Sequence, residues 1–471
     1  MIDTVLSRLA RIAAAAALAL AAAACANSPL GRVSDALGGG KKDAKDAPPA
    51  EERISILALD QTLEADPRLA GAPIELPPAY RNVSWPQPGG EADHTLHHLN
   101  GATTLERAWQ ADIGKGASRR SRLTSPPVAA DGKIYVLDTA STVSAFSMDD
   151  GRLQWRTKLA PRLKEKFRMR EVMRRNKPNE IGFGGGVAYD GGRIFVTSGF
   201  GFVAALEAET GKEVWRTETA APVRTPPTAY RGQVYIVTNA NDLIAFDQKD
   251  GAQKWNFQSF EEPARILSSA SPAAAGDLVV APFSSGELVA VMADSGRPVW
   301  NDTLVKNANL TALASLNDIA GSPVIDRGLV YVVSHGGRFA AIDIRTGNRL
   351  WEIPAAGLQM PWVAGDYIFL VTVDAELICV RREDGAIAWL TKLQRYEKEK
   401  KRKGRVAWSG PVLAGGHLIL TSTNGRVIRV DAQTGAVVDN RKVGAEVVIP
   451  PIIADEKVFL LTDKGRLVAL R

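Results

Sequence analysis

The chain has 471 residues, with 58 Lys and Arg against 52 Asp and Glu and a formal net charge of +6. A hydrophobic share of 45% is enough for a large core and excludes a disordered chain. Two cysteines exclude a disulfide framework. The 42 glycines and the short β-branched and aromatic runs bounded by Asp-Gly, Thr-Gly or Asn-Gly are strand punctuation, so the bulk is predicted to be all-β.

At the start of the chain, Arg8 and Arg11 precede an apolar run from Ile12 to Ala24. The run is too short to span a bilayer and ends in small residues, which predicts a removable export signal over 1–24. Cys25 follows Leu20-Ala-Ala-Ala-Ala and resembles a bacterial lipoprotein cleavage site, with Ala22 where leucine is usual. The expected outcome is a diacylated Cys25 anchored in a membrane, since each buried CH₂ contributes about 0.8 kcal/mol. A plain secretory signal with an incidental cysteine is the alternative. Ala26 rather than aspartate follows, which in such lipoproteins implies the outer membrane. Residues 26–53, with Gly38-Gly39-Gly40-Lys41-Lys42, hold too little apolar surface to fold and read as a tether behind Cys25. Residues 54–99 gain apolar side chains without any repeat and read as an ordered arm lying on the domain that follows.

From residue 100 the chain repeats. Gly151, Gly211, Gly251, Gly296, Gly347, Gly385 and Gly435 are each followed four residues later by one slot, and six slots hold Trp155, Trp215, Trp255, Trp300, Trp351 and Trp389. The seventh slot is Asp439. A small residue and an apolar one precede most of these glycines, as in Ala205-Leu206 and Cys379-Val380, and an eighth pair is Ala469-Leu470. An apolar triplet lies upstream in all eight units, from Ile134-Tyr135-Val136 to Val458-Phe459-Leu460. Tryptophan intervals of 38 to 60 residues mean stacked units sharing one core, so a single large repeat domain is expected over 100–471.

Each unit reads as four strands, which is one propeller blade. The glycine marks the turn into the fourth strand, and the tryptophan is a wedge between neighbouring blades. The last unit lacks its fourth strand. The segment from Thr104 to Trp109 is predicted to supply it by pairing with the C-terminal strands. The fold is thus an all-β, eight-bladed β-propeller of four-stranded antiparallel blades, its ring closed by an N-terminal strand.

Chemistry is sparse. His94, His97 and His98 have no accompanying cysteines or carboxylates at ligand spacing, so no metal is expected. No Ser-His-Asp or paired-carboxylate arrangement can be assembled, and Cys379 occupies a slot that is Ala in most repeats, which fits a buried inert thiol. Two basic insertions stand out. Residues 162–177 carry eight Lys or Arg against Glu165 and Glu171, and 392–405 include Lys398, Lys400, Lys401, Arg402 and Lys403. They read as solvated loops, or as contacts to anionic headgroups or an acidic partner. The export signal argues against nucleic acid.

The segments Ala205 to Trp215 and Ala341 to Trp351 resemble the tryptophan-docking repeat of pyrroloquinoline-quinone dehydrogenases, a scaffold feature that says little about activity. In those enzymes quinone and calcium sit on the axis, often beneath a disulfide between adjacent cysteines. No adjacent cysteines occur here, so no cofactor is expected, and a quinone-dependent dehydrogenase is the enzyme-class alternative. Taken together, Cys25, the arm with Trp85-Pro-Gln-Pro-Gly-Gly90 and His98-Leu99, and the eight repeats are similar to the outer-membrane assembly lipoproteins of the BamB family. That resemblance implies a non-enzymatic periplasmic scaffold that binds the POTRA domains of BamA and assists insertion of β-barrel proteins. Its strand edges could hold unfolded outer-membrane clients, and a different envelope partner is the other binding alternative.

In that family two neighbouring inter-blade loops carry the contact. Matched on the Ser-Pro that follows each, they fall at 264–267 before Ser271-Pro272 and at 316–320 before Ser322-Pro323. The match implies partner contact by Arg265, Ile266, Leu267 and Asp318. Leu267 stands where the family's arginine aligns, and Ala320 replaces a second acidic residue.

Overall fold

Each repeat folds into a four-stranded antiparallel sheet because its apolar runs are five or six residues long and end in turns that reverse the chain. The computed structural model describes residues 62–101, 104–119, 121–159, 184–260, 270–304 and 318–471. Blade 3 is typical, with strands Thr228–Tyr230, Gln233–Val237, Asp242–Asp247 and Gln253–Gln258 paired in chain order. Between its first two strands, Arg231 and Gly232 both have positive φ, +47° and +78°, as a two-residue hairpin turn of the primed type requires. Blades 1 to 8 begin at Val128, Gly185, Thr228, Ala273, Val324, Trp362, Trp408 and Ile452. Together they form an all-β, eight-bladed propeller within the unit Leu63–Arg471.

Burial follows position in the blade. The second strands are apolar on both faces, as in Val234–Val237, because each is sandwiched between two neighbouring blades. The fourth strands alternate, with exposed residues on one face and half-buried ones on the other.

The tryptophans join the blades. The indole N–H of Trp155 donates to the Ala208 carbonyl of blade 2 at 2.9 Å, and that of Trp215 to the Gln248 carbonyl of blade 3 at 2.9 Å. Trp255, Trp300, Trp351 and Trp389 repeat this bond onto Ala293, Ile344, Arg382 and Ala432. The repeat glycine is the seat of the indole as well as the turn residue. At Gly211 φ is +70°, and at all seven repeat glycines a Cβ would stand less than 3.0 Å from a neighbouring atom, an indole atom of the preceding blade in each case. Opposite each tryptophan in the sheet lies the small residue of the motif, Ala145 facing Trp155 and Cys379 facing Trp389. Cys379 is wholly buried there, and burial pushes its thiol pKa well up.

Closure occurs through the N-terminal strand. Arg107–Asp112 pairs with Arg466–Leu470, placing Trp109 opposite Ala469 in the slot the other tryptophans occupy. Its N–H donates across the seam to Met148 of blade 1 at 3.1 Å. The odd copy at Asp439 is explained by the same seam. A tryptophan there would dock on the turn between the third and fourth strands of blade 8, and that turn does not exist, because these strands come from opposite ends of the chain. The residue facing Asp439 changes with it: Arg429 replaces the small residue and lies 3.7 Å from the Asp439 carboxylate.

Candidate partner-binding face and axial pocket

Up-and-down blades place two kinds of connection on opposite faces of the ring. The hairpins between first and second strands lie on one face, and the links from each fourth strand to the next blade lie on the other. The first face is closed by the arm. From Asn82 to Leu99 the arm bonds to every blade in ring order. Asn82 donates to the Ile453 carbonyl of blade 8 at 2.9 Å. Trp85 exchanges two backbone bonds with Ala129 of blade 1, at 2.6 and 2.8 Å. The Pro86 carbonyl accepts from Tyr189 of blade 2 at 2.8 Å, and the Gln87 side chain accepts from the Ala229 N–H of blade 3 at 3.1 Å. The carbonyls of Ala92 and Asp93 accept from Ala274 and Ile325 of blades 4 and 5. His97 accepts from the Trp362 indole of blade 6 at 2.7 Å, and Leu99 donates to Leu413 of blade 7 at 3.3 Å.

The three arm histidines are docking groups. His94 is buried, donates through Nδ1 to the Pro323 carbonyl at 2.7 Å, and lies 3.3 Å through Nε2 from the Ser271 hydroxyl. Burial pulls its pKa down to about 4. His98 donates through Nδ1 to Pro77 and accepts from the Gly416 N–H through Nε2 at 2.9 Å. His97 lies 3.7 Å from Asp326. Among the described residues no three His, Cys, Asp or Glu side chains are grouped to hold a metal ion. The arm's role was not apparent in the sequence. The available signal was Gly89-Gly90, where a Cβ would run into His94 and Leu96 respectively.

On the other side, the ring axis opens as a pocket of about 460 Å³. Trp85 and Trp362, stacked at 6.1 Å between centroids, form part of its lining together with Leu123, Pro126, Met360 and Ile449. Asp463 and Glu446 add carboxylates. Burial first, and the Glu446 charge second, push the Asp463 pKa up to about 6, while the Arg122 guanidinium 3.6 Å away opposes them. A calcium ion beside a quinone needs about six to eight oxygen ligands converging on one point, carboxylates among them. Among the described residues Asp463 and the exposed Glu446 are the only carboxylates lining the pocket, and the Arg122 guanidinium lies 3.6 Å from one of them, a donor set that does not fit that group.

The inter-blade links form the candidate partner-binding face. Arg265, Ile266 and Leu267 lie outside the described residues, as do Cys25 and the basic stretch 162–177. Of the second loop, Asp318, Ile319 and Ala320 are described and all are buried, Asp318 at 3% exposure with its carbonyl accepting from the His335 N–H at 3.1 Å. The structure brings the roots of the two loops together. The Ser271 N–H donates to the Ser322 hydroxyl at 3.0 Å, and His94 touches both Ser-Pro motifs.

These features define a tryptophan-docked, eight-bladed propeller whose ring is closed by its own N-terminal strand and capped on one face by its arm. A family model described as outer membrane protein assembly factor BamB matches residues 92–175, 139–391 and 394–471, and the chain belongs to that family. The outer membrane protein assembly factor BamB of Moranella endobia is 24% identical over 368 residues, covering 78% of this chain and 90% of the relative. That of Burkholderia pseudomallei is 27% identical over 369 residues, covering 78% and 88%. The crystal structure of BamB from Moraxella catarrhalis superposes with a TM-score of 0.64 at 17% identity, over 78% of this chain and all of that one. A quinohemoprotein alcohol dehydrogenase from Pseudomonas putida superposes at 0.63 with 14% identity, over 83% and 80%. Both structural likenesses speak to the fold alone. Among the described residues no helix is long and apolar enough to cross a membrane.

Proposed function

We propose that this protein is a non-enzymatic scaffold of the outer-membrane β-barrel assembly machinery, held on the periplasmic face of the outer membrane by lipid on Cys25 and docked on the POTRA domains of BamA. Family membership is the observation that carries the reading. The docking surface is the inter-blade face at blades 4 and 5, with Arg265, Ile266 and Leu267 in direct contact. Asp318 is buried, so it contributes by shaping its loop.

The test is recovery of BamA from detergent-solubilised outer membrane by the tagged protein. Ile266→Asp should abolish recovery and Asp318→Asn should weaken it, with thermal unfolding little changed. Recovery indifferent to both substitutions would refute the surface. Recovery of some other envelope protein alone would refute the partner, and quinone-dependent alcohol oxidation by the purified protein would refute the non-enzymatic reading.

A second role is supported by the outermost strands. Leu153, Val214, Val299, Leu350, Val437 and Val438 are exposed on strands whose outer edges are unpaired within their sheets, the arrangement that extended client strands use for β-augmentation. Crosslinking of an unfolded barrel protein to these strands tests it, and crosslinks confined to the inter-blade face would exclude it.

A further inference from the structure

The link from blade 6 to blade 7 leaves the ring as a hairpin. Tyr396–Lys398 pairs with Lys403–Arg405, and a single 3-10 turn, Glu399–Lys401, forms the tip. Its stem is fixed to the blades. Arg395 pairs with Asp374, and Arg405 lies 3.8 Å from the same carboxylate while donating to the Val373 carbonyl at 2.7 Å. The Trp408 indole N–H, on the inner strand of blade 7, donates to the Gln394 carbonyl at 2.9 Å.

Both acids of the hairpin are exposed, and both lie against its own backbone. Glu399 accepts from the backbone N–H groups of Arg395 and Tyr396, at 3.0 Å each. Glu397 lies across Gly404, where a Cβ would stand 2.7 Å from its carboxylate oxygen. Lys398, Lys400, Lys401, Arg402 and Lys403 are left exposed, and none of the five is ion-paired among the described residues. Glu399 is used to shape the turn, and at the surface the five bases outnumber the two acids.

We propose that the hairpin tip docks on anionic phospholipid headgroups. Five of the six residues 398–403 are cations and no apolar side chain lies among them. Contacts between proteins draw most of their energy from Trp, Tyr and Arg anchors seated in pockets, and of these the tip offers Arg402 alone. The adjoining aromatic, Tyr396, is half-buried beneath the Arg395 guanidinium and is not available as one. A sheet of phosphates asks only for charge and reach. Each Lys or Arg held near an anionic leaflet gains about 1 kcal/mol, roughly a fivefold change in partition. The hairpin sits on the inter-blade face, so lipid contact there would orient that face toward the membrane.

The chain from residue 26 onward keeps every described residue and the closed ring, and lacks any acyl anchor. Its partition onto vesicles of phosphatidylglycerol and phosphatidylethanolamine is measured by co-sedimentation, with phosphatidylcholine vesicles as the neutral surface. Binding to the anionic vesicles should resist added inorganic phosphate and weaken at high salt. It should fall at least tenfold in the triple variant Lys400→Glu, Lys401→Glu, Lys403→Glu, with an unchanged unfolding midpoint. The pair Arg152→Glu, Lys212→Glu at the outer rim should leave it intact. Equal binding of the triple variant and the unmodified chain would overturn the proposal, as would equal binding to neutral vesicles. Failure to bind vesicles, with hairpin-dependent capture of an acidic outer-membrane protein instead, would assign the tip to protein and also overturn it. None of these outcomes depends on the docking loops, which Ile266→Asp tests separately.

Discussion

Replacing Trp109 with alanine tests the closing blade, whose fourth strand comes from the opposite end of the chain to the other three. The indole is half-buried, lies 5.7 Å from the Phe459 ring, rests on Gly151 and donates to the Met148 carbonyl at 3.1 Å. Truncating a fully buried tryptophan costs about 3 to 5 kcal/mol. Because one edge of this ring is in water, its apolar share is nearer ~2 kcal/mol, and losing the N–H bond adds ~1 kcal/mol. The expected loss is therefore about 3 kcal/mol, read by urea unfolding followed in the far ultraviolet so that removing a tryptophan does not alter the signal. Trp215→Ala, the same wedge inside the chain, should cost a similar amount. A loss below about 1 kcal/mol for Trp109→Ala beside a full loss for Trp215→Ala would refute closure as a principal source of stability.

Gly211→Ala should cost at least ~2 kcal/mol, about half from a side chain at φ +70° and the rest from displacing the Trp155 indole. In a Trp155→Ala background only the backbone share should remain, and an undiminished cost would deny the seat. Arg429 and Asp439 have side chains only 17% and 18% exposed, so Asp439→Ala should cost about 2 kcal/mol by removing the carboxylate that faces the Arg429 guanidinium. Adding Arg429→Ala should recover part of this, whereas strictly additive losses would show that the two do not interact. The pH dependence of folding should contain opposing contributions. His94, held down to about 4, stays neutral in the native state while the unfolded chain takes up its proton near pH 6.5, so its contribution is lost as pH falls from about 6.5 to 4, by at most about 3 kcal/mol. Asp463, held up to about 6, works the other way between about 4 and 6, since the native state binds its proton first. The stability gap between the unmodified protein and His94→Gln should therefore shrink on acidification, and a constant gap would contradict the buried neutral imidazole.

The blade count, the four-strand order and the closing strand were legible because each rests on a local signal repeated many times: the glycine turn, the small residue facing tryptophan, and the unpaired Thr104 to Trp109 segment. The tryptophan's partner was not legible. Its acceptor is a backbone carbonyl in the next blade, such as Ala208 for Trp155, and carbonyls carry no sequence identity. For the same reason the arm is legible as an ordered segment lying on the domain, but its blade-by-blade contacts are not. Most of its bonds to the blades use main-chain groups, and only Asn82, Gln87, Gly89-Gly90 and the histidines leave a trace in side-chain choice. Asp463 escaped notice because its environment is assembled from blades 1 and 8 and from Glu446, all distant from any motif.

The order of the arm's contacts constrains how the ring and the proposed docking face depend on each other. Asn82 meets blade 8, and the arm then visits blades 1 through 7, so this stretch begins on the last-made strands of the chain. The stretch from Asn82 to Leu99 can therefore seat fully only on a completed ring, and once seated it resists the outward movement of any single blade. His94 carries that restraint to the opposite face. Its two nitrogens reach the roots of the inter-blade links at blades 4 and 5, and Ser271 bonds Ser322 beside it. A partner reading these two links as one surface needs their spacing held constant. A neutral imidazole wedged between the two Ser-Pro motifs holds it without a charge whose burial would have to be offset.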